Sequence, residues 1–320
     1  MTAQSAAPIR LAGPLRCSAA VILFIAAYVV SAKAGLAFAI PPGNATVVWP
    51  AAGLAVAALL LLGCRAWPAV WIASAITNLT TNLSTVAALT TAIGNTLEAV
   101  LACYLIRRFL NIGAPFAKVR DTFLFAAISA GSCALAASVG AASLWGAGLV
   151  TWPQLGPNWW TWWLGDLASL MILVPLVLAY RQRGWRLPEA SRWPELVLLF
   201  GCVVAVGQCI FGGWLPERWA ENLVYLTMIL LIWVALRFEL REITTCTLLL
   251  CGAVVFGTLQ GVGAYGGEAL LQSLFDVQVF TNVYALTGLA LAGIVAQRRA
   301  AGAAAEKSPS QVRSEITERE

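Results

Sequence analysis

The chain has 320 residues, of which 60% are hydrophobic and 11% charged, with a mean hydropathy of +0.80 and a formal net charge of +5. Such values lie far from those of soluble domains and read as a multi-pass membrane protein. They exclude nucleic-acid binding, which needs a solvated basic face, and they leave no stretch from which a soluble catalytic domain could be built.

Apolar runs recur along the whole length without the alternation of a barrel strand, and in lipid a backbone must satisfy its own hydrogen bonds. The expected fold is therefore all-α, a polytopic helical bundle of about ten transmembrane helices with eight as the lower bound. The segments fall at 17–40, 47–64, 66–78, 86–106, 122–145, 159–180, 194–213, 221–236, 243–260 and 278–296. A helix of roughly 20 residues crosses a hydrocarbon layer of about 30 Å. The third segment is short, and either extends into "TNLTTNLST" or turns back inside the membrane. Residues 1–16 are expected as a cytoplasmic leader, 17–296 as the transmembrane domain and 297–320 as a disordered cytoplasmic tail.

Charge sets the orientation. With ten helices, 18 of the 20 Lys and Arg fall on one side, and only Lys33 and Arg218 fall elsewhere. Cytoplasmic loops collect such residues, so both termini are expected in the cytoplasm. Arg10 and Arg16 before an apolar run, with Ala32-Lys33-Ala34 after it, also resemble a cleavable signal peptide. The run continues through "GLAFAI", longer than a signal core, so a retained first helix is expected.

The first two helices are joined by "PPGNATVVWPAAGLA". Its prolines stop a helix, Gly43 permits an unusual turn, and Asn44 can satisfy freed backbone groups ahead of Trp49. Asn78 closes the third segment on the same side. Ionisable groups inside lipid cost roughly 2.5 to 3.5 kcal/mol on insertion scales and usually face the bundle interior. Lys33, Glu98 and Asp166 are the three that stand out. Counting from the helix ends at 1.5 Å per residue places Lys33 and Asp166 both roughly 10 Å deep, so they are expected to pair. Asn95 precedes Glu98 by three residues and shares its face. In "NWWTWWLGDLASL", Trp159, Trp162, Trp163 and Asp166 recur at helical spacing, so this stripe is expected to line a pocket while Trp160 meets lipid.

Histidine is absent and the eight cysteines show no CxxC spacing. No disulfide framework, metal site or cofactor is expected. Neither a phosphate-cradling glycine loop nor a GxSxG elbow is present, so an enzyme is not expected.

Three motifs in order, "PPGNATVVWPAAGLA", "IGNTLEAVLACYLIRRF" and "WWTWWLGDLASLMILVPLVL", with "WPAVWIASAITNLTT" between the first two, resemble the first type of bacterial membrane-associated sensor domain, the MASE family. The resemblance covers roughly 17–296 and implies a sensory input module of several helices. In that family the module is usually joined to a histidine kinase, a diguanylate cyclase or a cyclic-di-GMP phosphodiesterase. Here only "AAGAAAEKSPSQVRSEITERE" follows Arg299, so either such an output enzyme is a separate partner, beside the lipid bilayer itself, or the chain has another membrane role, or it is a piece of a longer protein. The expected function is a membrane sensor for an unidentified small ligand. Lys33, Asn44, Trp49, Asn78, Asn95, Glu98, Trp159, Trp162, Trp163 and Asp166 are its candidate binding residues. A secondary transporter of a small solute is the alternative, since midplane polar groups and a proline-broken helix also suit a substrate path.

Overall fold

The structure is a computed structural model that describes residues 14–37, 39, 46–81, 83–183, 190–266 and 270–317. Asn44 and the rest of 40–45 lie outside the described residues. The helices are α1 Pro14–Leu36, α2 Pro50–Leu62, α3 Trp67–Leu79, α4 Thr85–Phe109, α5 Val119–Gly146, α6 Trp152–Arg183, α7 Trp193–Ile210, α8 Glu217–Leu223, α9 Leu226–Arg237, α10 Leu240–Leu259 and α11 Leu270–Thr317. No strand occurs among the described residues. Each of the ten apolar segments is found as a helix, the eighth as α8 and α9 in succession. Among the described residues, eight spans are long and apolar enough to cross a bilayer.

Helices α2 and α3 are short, of 13 residues each, or about 20 Å. The turn that joins them, Cys64–Ala66, reaches the end of the bundle where the arginines gather. There Arg107 of α4 donates to Leu60 O at 2.8 Å. A disulfide joins Cys64 to Cys103 of α4, with their Cα atoms 6.4 Å apart. That bond corrects the expectation of no disulfide. The two cysteines are 39 residues apart in sequence, and the packing of α2 and its following turn against α4 brings them together.

Nine residues of α2 are buried, Ala51 to Leu60 with the exception of Leu54, and the helix is apolar all round, as a core helix should be. It packs against α1, α4 and α6. Between helices in lipid there is little hydrophobic driving force, so close packing and polar ties must hold them. Gly53 shows both. Its N–H donates to Ser169 Oγ of α6 at 2.9 Å, and a Cβ added to it would lie 2.5 Å from Ser169 O.

Two helix ends differ from the sequence expectation. α6 begins at Trp152 rather than 159 and carries Pro157 inside it. A proline near the start of a helix forfeits few backbone bonds, so it does not end α6 here. α11 runs on as helix to Thr317, beyond the end of the last apolar segment at 296. The alanine-rich stretch at 300–305 is a strong helix former. Leu36 ends α1, and the extended residues Val47 to Trp49 lead into Pro50, the first residue of α2.

Outward-facing side chains such as Ile22, Leu23, Val30, Val86, Trp160 and Ile229 are exposed, which in this setting is the lipid-facing surface. Substituting Gly53→Val is expected to destabilise the protein by about 1–3 kcal/mol through overpacking, whereas Gly131→Ala, where a Cβ meets nothing within 4 Å, leaves stability nearly unchanged. Thermal unfolding of both variants in one detergent measures the difference.

Candidate functional site

Ahead of α2 the described residues Thr46 to Trp49 are not helical, and two of their backbone groups bond to other helices. Trp49 N–H donates to Gly165 O of α6 at 3.2 Å. Gln278 of α11 donates through Nε2 to Thr46 O at 3.0 Å and to Thr161 O at 2.9 Å. One turn on, Asn282 Nδ2 donates to Leu164 O at 3.1 Å. Thr46, Gly165 and α11 are thereby held as one wall.

Against that wall lies a cavity of ≈ 50 Å³, bordered by Thr46, Trp49, Asn78, Thr91, Asn95 and Asp166, with Trp162 and several leucines completing it. By volume it admits about three or four water-sized groups. α3 and α4 are joined beside it by Ser74, whose Oγ accepts from Asn95 Nδ2 at 3.0 Å and from Asn78 Nδ2 at 3.3 Å. Asn78 Nδ2 also donates to Ser74 O at 2.9 Å. The ring of Trp162 lies over Gly140 of α5, where any Cβ would overlap it.

Asp166 is 6% exposed, and no hydrogen bond or ion pair to it occurs among the described residues. Glu98, 2% exposed, accepts from Cys133 Sγ at 3.4 Å and lies within electrostatic reach of Asp166. Both carboxyls sit roughly 20 Å along their helices from the arginine-poor end, by the helical rise. Thr91 Oγ1 of α4, and Ser129 Oγ and Ser132 Oγ of α5, are buried without a hydrogen-bond partner. Thr91 is 4% exposed and faces the cavity.

The expected Lys33–Asp166 pair does not form. Lys33 Nζ donates instead to Thr80 O at 3.1 Å, at the C-terminal end of α3, where a cation suits the helix dipole. The depths explain it. Lys33 is three residues from the end of α1, about 5 Å, whereas the earlier start of α6 puts Asp166 14 residues in, about 21 Å. The tryptophan stripe also divides. Trp162 borders the cavity, while Trp163 Nε1 donates to Ala130 O at 2.8 Å and Trp159 Nε1 to Ser138 Oγ at 3.0 Å, both on α5. These two indoles stack on each other, ring centres 5.5 Å apart. Of the expected residues, the cavity thus gathers Trp49, Asn78, Asn95, Trp162 and Asp166, with Glu98 buried nearby.

Residues 20–299 match the sequence profile of MASE1. The chain belongs to the MASE1 family. It is accordingly a membrane-associated sensory domain, carried by a multi-pass bundle in contact with lipid. Neither the curated proteins nor the solved structures give a match.

Sequence reasoning missed the contribution to this MASE1 domain of Ser74, Thr91 and Gln278. The pair Gln278 and Asn282, one turn apart in an otherwise apolar helix, was the available signal. Single hydroxyls such as Ser74 and Thr91 bond easily within their own helix and carry none. A buried carboxyl without a partner is unfavourable in either protonation state. Asp166→Asn is therefore expected to raise the stability of the ligand-free protein by about 0.5–2 kcal/mol. A lower thermal midpoint than wild type in matched detergent contradicts this reading.

Proposed function

We propose that the cavity between α1, α3, α4 and α6 is the sensory site and that α11 carries its state toward the cytoplasm. The arginine-rich end of the bundle faces the cytoplasm of a bacterium, the chain lying in the inner membrane. A separate histidine kinase or cyclic-di-GMP enzyme, the outputs with which such domains are usually joined, receives the signal. The supporting observation is Gln278. It sits on α11 yet ties together two backbone carbonyls of the cavity wall, Thr46 O and Thr161 O.

Further along, α11 is tied at successive levels. Thr122 Oγ1 of α5 donates to Leu289 O at 3.2 Å, and Val119 N–H to Gln297 Oε1 at 3.4 Å. Arg299 donates to Phe238 O at 3.2 Å and to Leu236 O at 3.0 Å, at the end of α9. A ligand that binds one setting of the wall more tightly than another shifts the populations of these contacts, while equal affinity shifts nothing.

Hydrogen–deuterium exchange of the full chain in lipid nanodiscs tests this coupling. Gln278→Leu and Asp166→Asn are each expected to change amide exchange severalfold within 289–303 of α11, as local opening free energies change. Trp160→Phe, on the lipid-facing side, leaves it unchanged. Changes confined to the cavity helices, with 289–303 unaffected, overturn the coupling.

A further inference from the structure

We infer that the cavity takes a primary ammonium group, a reading that rests on the cavity being the sensory site and adds its ligand class. Four observations converge. Asp166 borders the cavity with neither a cation nor a hydrogen-bond donor on its carboxyl, and Glu98 adds a second acidic group within electrostatic reach. The cation that could have neutralised them, Lys33, is committed to Thr80 O. Among the described residues, the ion pairs Arg237–Glu195 and Arg241–Glu242 involve neither carboxyl.

The remaining polar atoms are of the matching kind. Thr91 Oγ1 is buried and unpartnered. Asn78 has its amide nitrogen engaged with Ser74, so its carbonyl oxygen is the group left to accept. An ammonium has three N–H donors and no acceptor, which suits a carboxylate, a hydroxyl and an amide oxygen. An anion meets repulsion from two carboxyls. Trp49 and Trp162 border the same space, and indole faces attract ammonium groups by their quadrupole.

Size narrows the class. A cavity of ≈ 50 Å³ holds an ammonium with one or two carbons and little else. A longer molecule places only its amino head there, its remainder leaving the cavity. A soluble small amine and the head of an ethanolamine phospholipid share this chemistry.

The test uses the full chain in nanodiscs of phosphatidylglycerol, which lack any amine, with ethanolamine hydrochloride as probe. Ethylene glycol serves as the neutral analogue and sodium chloride as the ionic control. Ethanolamine is expected to raise the unfolding temperature in a saturable way, and the two controls are not. Asp166→Asn and, as a milder second variant, Thr91→Val are each expected to weaken ethanolamine binding, the first by about tenfold or more, as loss of a charged hydrogen-bond partner implies. Nanodiscs containing phosphatidylethanolamine separate the sources: prior occupancy by lipid abolishes the response to added ethanolamine, whereas a soluble-amine site keeps it.

An equal shift with sodium chloride makes this an inorganic cation site and overturns the inference, as does full binding by both variants. Absence of any response to ethanolamine and methylammonium in the amine-free discs also overturns it. If Asp166→Asn still alters exchange along α11 in that last case, the sensory reading stands and the ligand class alone falls.

Discussion

A polar backbone in lipid tolerates no vacant hydrogen bonds, and in this chain Thr46 to Trp49, ahead of Pro50, are non-helical within the bundle. Irregular backbone at that depth survives only where protein surrounds it. Ser169 and Gly165 of α6 and Gln278 of α11 provide the surroundings, binding Gly53 N–H, Trp49 N–H and Thr46 O respectively. That stretch keeps α2 short and central, and brings α11 against the N-terminal half of the bundle. It also leaves beside it a space that no continuous helix fills. The cavity is the geometric remainder of satisfying that backbone.

The polar groups around this space fall into two kinds. Ser74, Asn78 and Asn95 bond to one another and hold α3 to α4. Asp166 and Thr91 are left over. Folding alone gives no reason to keep a carboxyl that nothing binds, since an amide of the same shape is less costly to bury. The division between satisfied and unsatisfied groups is what separates structural ties from candidate recognition here, and proximity to the cavity does not. Trp159 and Trp163 are on the same helix as Asp166, yet both indole N–H groups are already engaged with α5.

Much of the fold was legible because hydrophobic run length is a strong signal in lipid, and every apolar segment became a helix. The errors came from ends and depths. The sixth segment was begun at 159, seven residues after the start of α6, and the depth of Asp166 was underestimated by about 10 Å at the helical rise. The false pairing with Lys33 followed directly. At the site, Asn78, Asn95 and Glu98 were readable as rare polar residues in apolar helices. Ser74 and Thr91 were not, because a hydroxyl can return its hydrogen bond to its own helix, and its partner depends on which helix lies opposite. Gln278 was overlooked for its place in a half of the chain with few charges.

The shortness of α3 has a consequence for the lipid around it. α3 is 13 residues long, about 20 Å, and it turns Trp67, Trp71, Ile72, Ile76 and Leu79 outward. Its neighbour α4, at 25 residues, is long enough to match a full hydrocarbon layer. One flank of the protein thus offers the membrane a shorter apolar strip than the other. Acyl chains touching that flank must shorten or tilt, at a cost of fractions of a kcal/mol per Å of mismatch. The annulus is asymmetric, and its thin side adjoins the helix that carries Asn78.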